Sequence, residues 1–428
     1  MREMKDSGIA WIGAIPAAWG VHRIASHFQE IKEKNTANAY SNALQFKMGK
    51  IIAKPQKWDE DETNETYSAY TVVHPNTIMV NGLNLEFDFV TQRVARVECN
   101  GIITSAYIAL SPRDDINAEY ICYLLKSYDA CRAFHSMGRG LRKILSYSEL
   151  KNKPIVIPPL AEQERIAAFL DAECAEIDTV LEKTRASIEE YKKLKQAVIT
   201  QAVTKGIRGD RPMKDSGIEW IGDIPAEWEI RKIFRAINKV GDIDHYMPDS
   251  VDDGIPYLMT GDLQEKLSDV NLKRCKKVSF QDYEMLSSKI RVSKGDVIFA
   301  RYATIGTVCF VDTEDNILVS YACLIIKPNS SLLYGEFLFY YLKSTAFLEE
   351  IKQYIKANTQ ANVGLDSVSK AKIALPSVRE QQKIVEYLRD KCKKIDSLIA
   401  KKQQYLTEIE NYKKSLIYEY VTGKKEVV

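Results

Sequence analysis

The sequence predicts a mixed α/β (α+β) fold with two globular domains, joined by two long helices that pack as an antiparallel coiled coil in an internal pseudo-twofold repeat. Three observations support this prediction. A stretch of sixteen residues occurs twice, a longer segment with a helical pattern also occurs twice, and the regions between these repeats contain short strand and helix patterns. Each half of the chain therefore has an opening motif, a middle region and a long terminal segment.

The opening motif is MKDSGIAWIGAIPAAW at Met4–Trp19 and MKDSGIEWIGDIPAEW at Met213–Trp228. In the second copy, Trp220 and Trp228 accompany a proline and two glycines. Tryptophans in such a motif either anchor an irregular loop to a neighbouring core or stack on a ligand. Because the motif is duplicated in register with the terminal segments, we expect the packing role.

The terminal segments, Pro158–Gly206 and Pro376–Gly423, are predicted to be long helices. Their apolar residues recur at steps of three, four and seven, which is a heptad-like pattern. These residues are Leu170, Cys174, Ile177, Leu181, Ile188, Tyr191 and Val198 in the first segment, and Leu388, Cys392, Ile395, Ile399, Leu406, Ile409, Leu416 and Tyr420 in the second. About 40 helical residues correspond to a length of about 60 Å.

Signals at the ends of the two segments agree with helices. Ser377 and Glu380 have the spacing of a capping box at the start of the second segment. Gly206 and Gly423 follow the last periodic residues, where a C-terminal cap is expected.

A helix with one apolar stripe cannot bury that stripe alone. Because the chain supplies two helices of matching length, separated by bulky regions, we expect an antiparallel pair. The alternative is that each helix packs only on its own half. The predicted division of the chain is 1–157 for the first globular domain with its opening motif, 158–206 for the first long helix, 207–375 for the repeated motif and the second globular domain, and 376–428 for the second long helix and a C-terminal tail.

The composition is that of an ordinary soluble protein, with 45% hydrophobic and 28% charged residues among 428. No apolar run is long enough for a membrane span, and the first residues lack the apolar core of a signal peptide. The eight cysteines are scattered without a C-x-x-C pair, which is typical of reduced thiols. We therefore expect a cytoplasmic protein that does not contact membranes.

The middle regions show no obvious similarity to each other, but both predict mixed strands and helices. Candidate strands are YTVVH, NTIMV and GIITSAYIAL in the first region, and KIRV, DVIFAR, GTVCFV and YACLIIK in the second. Candidate helices are NAEYICYLLKSYDACRAF and YGEFLFYYLKSTAFLEEIKQY. This small-scale alternation predicts compact domains of twisted strands and a few helices, not a doubly wound sheet.

Catalysis by this chain has little support in the sequence. The five histidines do not cluster, and H-E-x-x-H, Walker A and G-x-G-x-x-G motifs are missing. The stretch IPPL at Ile157–Leu160 resembles the proline-containing motif of adenine methyltransferases superficially. It lacks the polar first residue and the aromatic fourth residue that would hold a flipped base.

Nucleic-acid binding has more support, although the net charge of +2 is low for such a protein. Arginine can bind guanine through two hydrogen bonds, glutamine and asparagine can bind adenine, and lysine binds phosphates. Such residues occur beside glycines and aromatics in Met137–Tyr147, Lys273–Val278, Ala300–Gly306 and Lys356–Gly364. Taken alone, each stretch is better explained as an ordinary solvated loop, and its support for DNA binding comes from the architecture around it.

In this arrangement the sequence resembles the specificity (S) subunits of type I restriction–modification systems. The similarity is carried by KDSGIEWIGDIP, by IPPLAEQERIAAFLDAECAEID with QAVTKG, and by ANTQANVGLDSV before ALPSVREQQKIVEYL. The stretch KGDVIFARYATIGTVCFV also resembles a sheet segment of such proteins. These features cover essentially the whole chain in the order found in the family.

The resemblance implies that the middle regions are two target recognition domains, each binding one half of a split sequence in double-stranded DNA. The long helices would set the spacing between the halves. Two methyltransferase (M) subunits and restriction (R) subunits would be partners. S-adenosylmethionine, ATP and Mg would be held by those partners, and this chain would hold no cofactor or metal and catalyse nothing.

The resemblance, together with loop position and side-chain chemistry, also suggests DNA-contacting residues. These are Arg139, Arg142 and Lys143 in the first domain, and Arg301, Tyr302, Thr304, Gln360 and Asn362 in the second. The alternative function is a protein-interaction adaptor in which the coiled coil joins partners without DNA recognition. A third alternative is an enzyme with an unrecognised site.

Overall fold

The computed structural model describes residues 2–47, 49–55, 66–88, 92–138, 140, 143–302, 304–354 and 363–427. The chain forms two compact units. Unit 1 comprises Met1–Arg185 and Gln404–Val428, and unit 2 comprises Ala186–Gln403. Both dividing points lie inside a long helix, so each unit contains part of each long helix.

Two of the helices are several times longer than the others. The helices of the described residues are α1 (Ile24–His27), α2 (Ala118–Ala130), α3 (Tyr147–Leu150), α4 (Leu160–Lys205), α5 (Phe280–Ser287), α6 (Gly335–Lys343), α7 (Thr345–Lys352), α8 (Leu365–Lys370) and α9 (Val378–Val421). The long helices α4 and α9 have 46 and 44 residues. No helix in the described ranges has the length and hydrophobicity to cross a membrane.

The strands of both units are short. Unit 1 contains β1 (Met4–Asp6), β2 (Ala14–Pro16), β3 (Gly20–Arg23), β4 (Phe28–Glu30), β5 (Leu44–Lys47), β6 (Lys50–Ala53), β7 (Thr71–Val73), β8 (Ile78–Val80), β9 (Val94–Arg96), β10 (Gly101–Ile103), β11 (Ile108–Pro112) and β12 (Pro154–Ile157). Unit 2 contains β13 (Met213–Asp215), β14 (Asp223–Pro225), β15 (Glu229–Lys232), β16 (Ile237–Gly241), β17 (Ile255–Leu258), β18 (Lys276–Val278), β19 (Val297–Ala300), β20 (Val308–Phe310), β21 (Leu318–Val319), β22 (Cys323–Pro328) and β23 (Lys372–Leu375).

The two units share a sheet topology. The central sheet of unit 1 has four antiparallel strands in the order β4-β11-β8-β9, and that of unit 2 has the order β16-β22-β19-β20. Each opening motif forms a hairpin, β1-β2 or β13-β14, and each unit pairs the strand after that motif with the strand before its long helix, as β3-β12 or β15-β23. The smaller sheets differ: β5-β6 and β7-β10 in unit 1, and β18-β17-β21 in unit 2.

The equivalence of the central sheets extends to single backbone positions. Asn76 and Gly295 stand just before the hairpins β8-β9 and β19-β20, and both have positive φ, 69° and 90°. The N–H of Asn76 donates to Val97 O at 2.9 Å, and that of Gly295 donates to Val311 O at 2.8 Å. The middle regions therefore share a backbone plan although their sequences do not obviously resemble each other.

The long helices pack against each other in antiparallel fashion within each unit. In unit 1 the rings of Phe169 and Tyr420 lie 4.4 Å apart, and Asp178 binds Lys413 at 2.6 Å. The contacting residues of α9 run backwards as those of α4 run forwards, which is the antiparallel arrangement. The predicted coiled coil is confirmed, and a helix packed only on its own half is excluded for this unit.

In unit 2 the same pairing recurs with the roles of the helices exchanged. Lys195 of α4 binds Asp396 of α9 at 2.8 Å, and Lys402 lies 5.8 Å from the ring of Tyr191. The ends of the helices also join the globular cores. Leu170 and Leu416 belong to the core of unit 1, and Ile199 and Leu388 belong to that of unit 2. The apolar stripe of each long helix thus packs partly on the other helix and partly on the globular cores.

Most sequence-predicted elements are present, with informative differences. GIITSAYIAL forms two strands, β10 and β11, and KIRV at Lys289–Val292 forms none, so that strand prediction is wrong. The predicted helix Tyr334–Tyr354 is interrupted at Ser344, which has extended backbone and accepts the N–H of Phe347 through its hydroxyl. A residue that caps a new helix ends the previous one, so the segment becomes α6 and α7.

The ends of the long helices follow the predicted caps in part. Gly206 and Gly423 have φ of 75° and 69°, the left-handed conformation of a glycine cap. Ser377 accepts the N–H of Glu380 at 3.3 Å, as in a capping box. The carboxylate of Glu380, however, binds other groups.

Candidate nucleic-acid interface

Each opening motif is fastened to the start of a long helix by a buried tryptophan. Trp19 is 1% exposed and donates its indole N–H to Oε2 of Glu162 at 3.0 Å. Trp228 is fully buried and donates to Oε2 of Glu380 at 3.1 Å. Indoles enclosed in this way have no face left for a ligand, which supports the packing role of the motif.

An arginine completes each of these contacts. Arg211 binds Oε1 of Glu380 at 2.6 Å and stacks on the ring of Trp228, with 5.1 Å from its guanidinium carbon to the ring centre. Arg2 binds Glu162 in unit 1. The glutamate that the repeat preserves therefore joins the first turn of the helix to an indole of the opening motif and to a guanidinium two residues before that motif.

The glutamine that follows each of these glutamates is also fully buried. Gln381 donates to Leu332 O at 2.8 Å and Pro376 O at 2.9 Å, and its side-chain oxygen accepts the N–H of Tyr334 at 2.7 Å. One amide thus satisfies three backbone groups at the junction of α6, β23 and α9. In unit 1, Gln163 makes the matching bonds to Pro158 O, Asp115 O and the N–H of Asn117.

This frame places two loops of each unit side by side. In unit 2, the N–H of Val363 donates to Arg301 O at 3.1 Å, joining the stretch before α8 to the turn between β19 and β20. In unit 1, the N–H of Leu145 donates to Gly82 O at 2.9 Å, joining the stretch before α3 to the turn between β8 and β9. We call the two segments joined by this bond the loop pair of each unit. In unit 1 they are the turn after β8 and the stretch before α3, and in unit 2 they are the turn after β19 and the stretch before α8.

The predicted residue Arg301 is held firmly at the base of its loop. Its Nη2 binds Asp242 at 2.6 Å, its Nε donates to Tyr321 O at 3.3 Å, and its guanidinium carbon lies 5.0 Å from the ring centre of Tyr302. The side chain is 14% exposed. Two of the guanidinium nitrogens of Arg301 are thus already bound within the unit.

Tyr302 and Thr304 extend the same loop towards solvent. Tyr302 is half-buried and Thr304 is exposed, and the N–H of Thr304 donates to Tyr302 O at 2.6 Å. The structure thus brings together three of the five residues predicted in the second domain. Gln360 and Asn362 lie outside the described residues.

Two residues that contact the partners of Arg301, His245 and Lys289, were not among the residues predicted from the sequence. The ring of His245 lies against that of Tyr321, with centres 3.8 Å apart and planes tilted by 44°. Lys289 binds Asp242 at 3.4 Å, beside the Arg301 contact. Tyr321 and Asp242 flank the paired strands β22 and β16, so their proximity depends on a long-range strand pairing that local spacing does not reveal.

In the first domain, Lys143 is the one predicted residue among those described. Its ammonium binds Glu86 at 2.7 Å, its backbone has φ of 41°, and its carbonyl accepts the N–H of Leu85 at 3.3 Å. Lys143 therefore belongs to the loop pair of unit 1. Arg139 and Arg142 lie outside the described residues.

The basic stretch Lys273–Val278 is only partly a loop. Its last three residues form β18, paired with β17, and Lys276 lies 5.6 Å from the ring centre of Tyr257. Part of this charge is therefore used within the unit.

Within the described ranges, no group of three or more His, Cys, Asp or Glu side chains is arranged to hold a metal ion. Burial raises the pKa of the Cys309 and Cys323 thiols to about 12. Such thiols stay protonated at neutral pH and are poor nucleophiles.

The two units share one backbone plan, and each presents a loop pair of different composition. Residues 100–190 and 225–411 match the family described as the type I restriction modification DNA specificity domain. Because this match covers more than half of the chain, the chain belongs to that family. The class predicted from the sequence, a DNA specificity subunit of a type I system, is confirmed.

Individual relatives agree with this assignment. The chain is 25% identical over 431 residues to the type I restriction enzyme MjaVIII specificity subunit of Methanocaldococcus jannaschii, covering 96% of this chain and 94% of the relative. It is 24% identical over 289 residues to the type I restriction enzyme EcoBI specificity subunit of Escherichia coli, covering 66% and 60%.

A solved structure also has a similar fold. One of its chains superposes with a TM-score of 0.72 at 14% identity, covering 96% of this chain and 99% of that one. That structure is described as the basis of complex assembly and conformational transition of the type I R-M system. At this identity the similarity concerns the fold.

Proposed function

We propose that each unit binds one half of a split sequence in double-stranded DNA and that α4 and α9 set the spacing between the halves. The observation that carries this proposal is the loop pair. The same backbone hydrogen bond joins two loops in each unit, while the residues on those loops differ. An identical frame with unlike surfaces is what recognition of two unlike half-sites requires.

The length of the helices supports a spacing role. At about 1.5 Å per residue, 44 and 46 helical residues span about 66–69 Å. One turn of DNA is about 34–36 Å long. Helices of this length are sufficient to hold two DNA-binding surfaces at successive major grooves on one face of the duplex.

The chain acts, in this proposal, as a non-catalytic subunit in the cytoplasm. Two methyltransferase subunits bound to S-adenosylmethionine would modify adenine, and restriction subunits using ATP and Mg would cut DNA. The assembly described for the solved relative supports such partners. The near-neutral net charge is compatible with this arrangement if partners supply part of the phosphate contacts.

The experiment that tests this function maps modified adenines in the genome with and without this chain, in the presence of its methyltransferase subunits. The expected result is a two-part methylated sequence that depends on the chain. Exchanging residues 20–157 for the corresponding domain of another specificity subunit should change one half of that sequence only. A methylation pattern that does not depend on the chain would contradict the proposal.

The alternative of a coiled-coil adaptor predicts a different result in a simple binding assay. DNA recognition through phosphates weakens steeply as salt concentration rises. An adaptor would show no salt-dependent DNA affinity. An enzyme with an unrecognised site would methylate or cut DNA as the purified chain alone, which we do not expect.

A further inference from the structure

The sequence predicts DNA contacts in three stretches: the turn β19-β20, the stretch before α3 and the stretch before α8. The shared backbone plan requires a fourth, because the turn β8-β9 of unit 1 corresponds to the turn that carries Arg301 and Tyr302. We propose that the described part of this turn, residues 81–88, contacts DNA bases, and that Phe87 is a specificity-determining residue. This inference rests on the proposed function.

The correspondence can be followed bond by bond. The N–H of Asn81 donates to Arg93 O at 2.8 Å, and the N–H of Ala300 donates to Thr307 O at 2.9 Å, closing the two hairpins at the same rung. The next residues are therefore equivalent, Gly82 in unit 1 and Arg301 in unit 2.

The second loop of each pair confirms this register. The carbonyl of Gly82 accepts the N–H of Leu145, as that of Arg301 accepts the N–H of Val363. Leu145 precedes Pro158 by as many residues as Val363 precedes Pro376. Gly82 is suited to this close approach, because a Cβ there would lie 2.1 Å from Leu145 O.

The turn of unit 1 is fixed by a buried cation. Arg93 is fully buried, and its guanidinium donates to Asn81 O at 3.2 Å, Leu83 O at 2.7 Å and Asp88 O at 2.6 Å. Burying a charged group is costly unless it is hydrogen-bonded. Bound to these three carbonyls, the guanidinium holds residues 81, 83 and 88 next to one another.

Phe87 projects into solvent from the described part of this turn. It is 77% exposed, the largest value among the large apolar side chains of the described residues. The acidic residues on either side have cationic partners, Glu86 with Lys143 at 2.7 Å and Asp88 with Arg93 at 3.8 Å. An aromatic ring at such a position can contact a thymine methyl group or enter a base step, and the cationic partners offset part of the charge of the two carboxylates.

The test compares Phe87→Ala with Phe280→Ala in the complex with methyltransferase subunits, by sequencing methylated adenines and by competition binding to DNA. Phe280 is 64% exposed on α5 of unit 2, is not part of either loop pair, and serves as the matched control. We expect Phe87→Ala to lose about tenfold in discrimination at one or more positions of a single half-site. The other half-site and the Phe280→Ala protein should keep the parent sequence.

Thermal unfolding establishes that the variant is folded, since an exposed ring contributes little to the core. Phe87→Glu gives a second measurement, because a carboxylate at the DNA surface should weaken the same half-site further. Unchanged discrimination in both variants, or equal weakening of both half-sites, would overturn the inference. If the parent complex itself shows no two-part sequence, the proposed function fails instead, so the two failures are distinguishable.

Discussion

The indole N–H of Trp228 donates to the carboxylate of Glu380 at 3.1 Å, joining the opening motif to the first turn of α9. Trp19 and Glu162 make the same bond in unit 1. The repeated sequence thus preserves both partners of a bond whose residues are far apart in the chain. This bond explains why the motif and the helix start are duplicated together.

Removing the acceptor should destabilise unit 2. Glu380→Ala leaves the buried indole N–H of Trp228 and the guanidinium of Arg211 without their shared carboxylate. Hydrogen bonds to charged groups contribute about 1.5–3 kcal/mol, so we expect a loss of about 3 kcal/mol in the free energy of unfolding. Guanidinium titration measures it, with Glu386→Ala, an exposed position of the same helix, as control. Equal stability of the two variants would show that the contact of Glu380 with Trp228 and Arg211 is not needed for stability.

Gln381 should be as sensitive as Glu380. Gln381→Leu keeps the size of the side chain but leaves the carbonyls of Leu332 and Pro376 and the N–H of Tyr334 without their partner. We expect a loss of about 3 kcal/mol in unfolding free energy, since each unsatisfied buried group costs about 1–3 kcal/mol. The adjacent exposed Gln382→Leu is the control and should change stability little. A small effect at both positions would contradict the assigned role.

The long helices and the opening motif could be predicted from the sequence, but the bonds that join them could not. Periodicity and duplication predict the long helices, their antiparallel pairing and the packing role of the opening motif. The repeat also marks Glu380 and Gln381, but their bonds depend on partners more than forty residues distant in sequence, which local spacing does not show. The central sheets of the two units are equivalent in their backbone hydrogen bonds. Their side chains differ, so this equivalence cannot be recognised from the sequence.

Only one of the two equivalent turns of the candidate site could be predicted from the sequence, because their side chains differ. Arginine and tyrosine beside glycine marked the turn with Arg301 and Tyr302. The turn with Phe87 has the same place in the fold but contains no exposed arginine among its described residues, and it was missed. Ser344 shows the opposite case: a continuous apolar pattern predicted one helix, and a single capping hydroxyl divides it.

The helix pair can be tested through Asp178 and Lys413, whose side chains join α4 and α9 at 2.6 Å in unit 1. A double-mutant cycle with alanine at each position should give a coupling energy of about 0.5–1 kcal/mol at low salt, decreasing as salt rises. The pair Asp390 and Lys394, 2.8 Å apart within α9, is the control for an ion pair that does not join helices. Zero coupling between Asp178 and Lys413 would argue against the contact in solution.

The stability of unit 1 should depend on pH through Glu119. Burial, and then the nearby carboxylate of Asp171, raise the pKa of Glu119 above its ordinary value. The folded state then keeps this proton to higher pH than the unfolded state does. The contribution of Glu119 to the free energy of unfolding is therefore greatest at low pH. It is lost as pH rises from the ordinary pKa of glutamate through the raised pKa of Glu119.

Asp171→Asn should reduce that fall, because it removes the second carboxylate while still accepting the hydroxyl of Tyr123. The measurement is the slope of unfolding free energy against pH in the parent, in Asp171→Asn and in the exposed control Asp114→Asn. The control should keep the parent slope. A slope unchanged by Asp171→Asn would show that burial alone sets this pKa.

The central claim, that the paired helices set the distance between two half-sites, is tested most directly by lengthening both helices. Duplicating residues 179–185 and 397–403 adds one heptad to each helix and preserves the apolar stripe. Each helix grows by about 10.5 Å, or about three base pairs of DNA. The same duplication in one helix alone is the control and should disrupt the pairing. Sequencing of methylated adenines should show a spacer longer by about three base pairs with both half-sites unchanged; an unaltered spacer in an active, doubly lengthened protein would contradict the account.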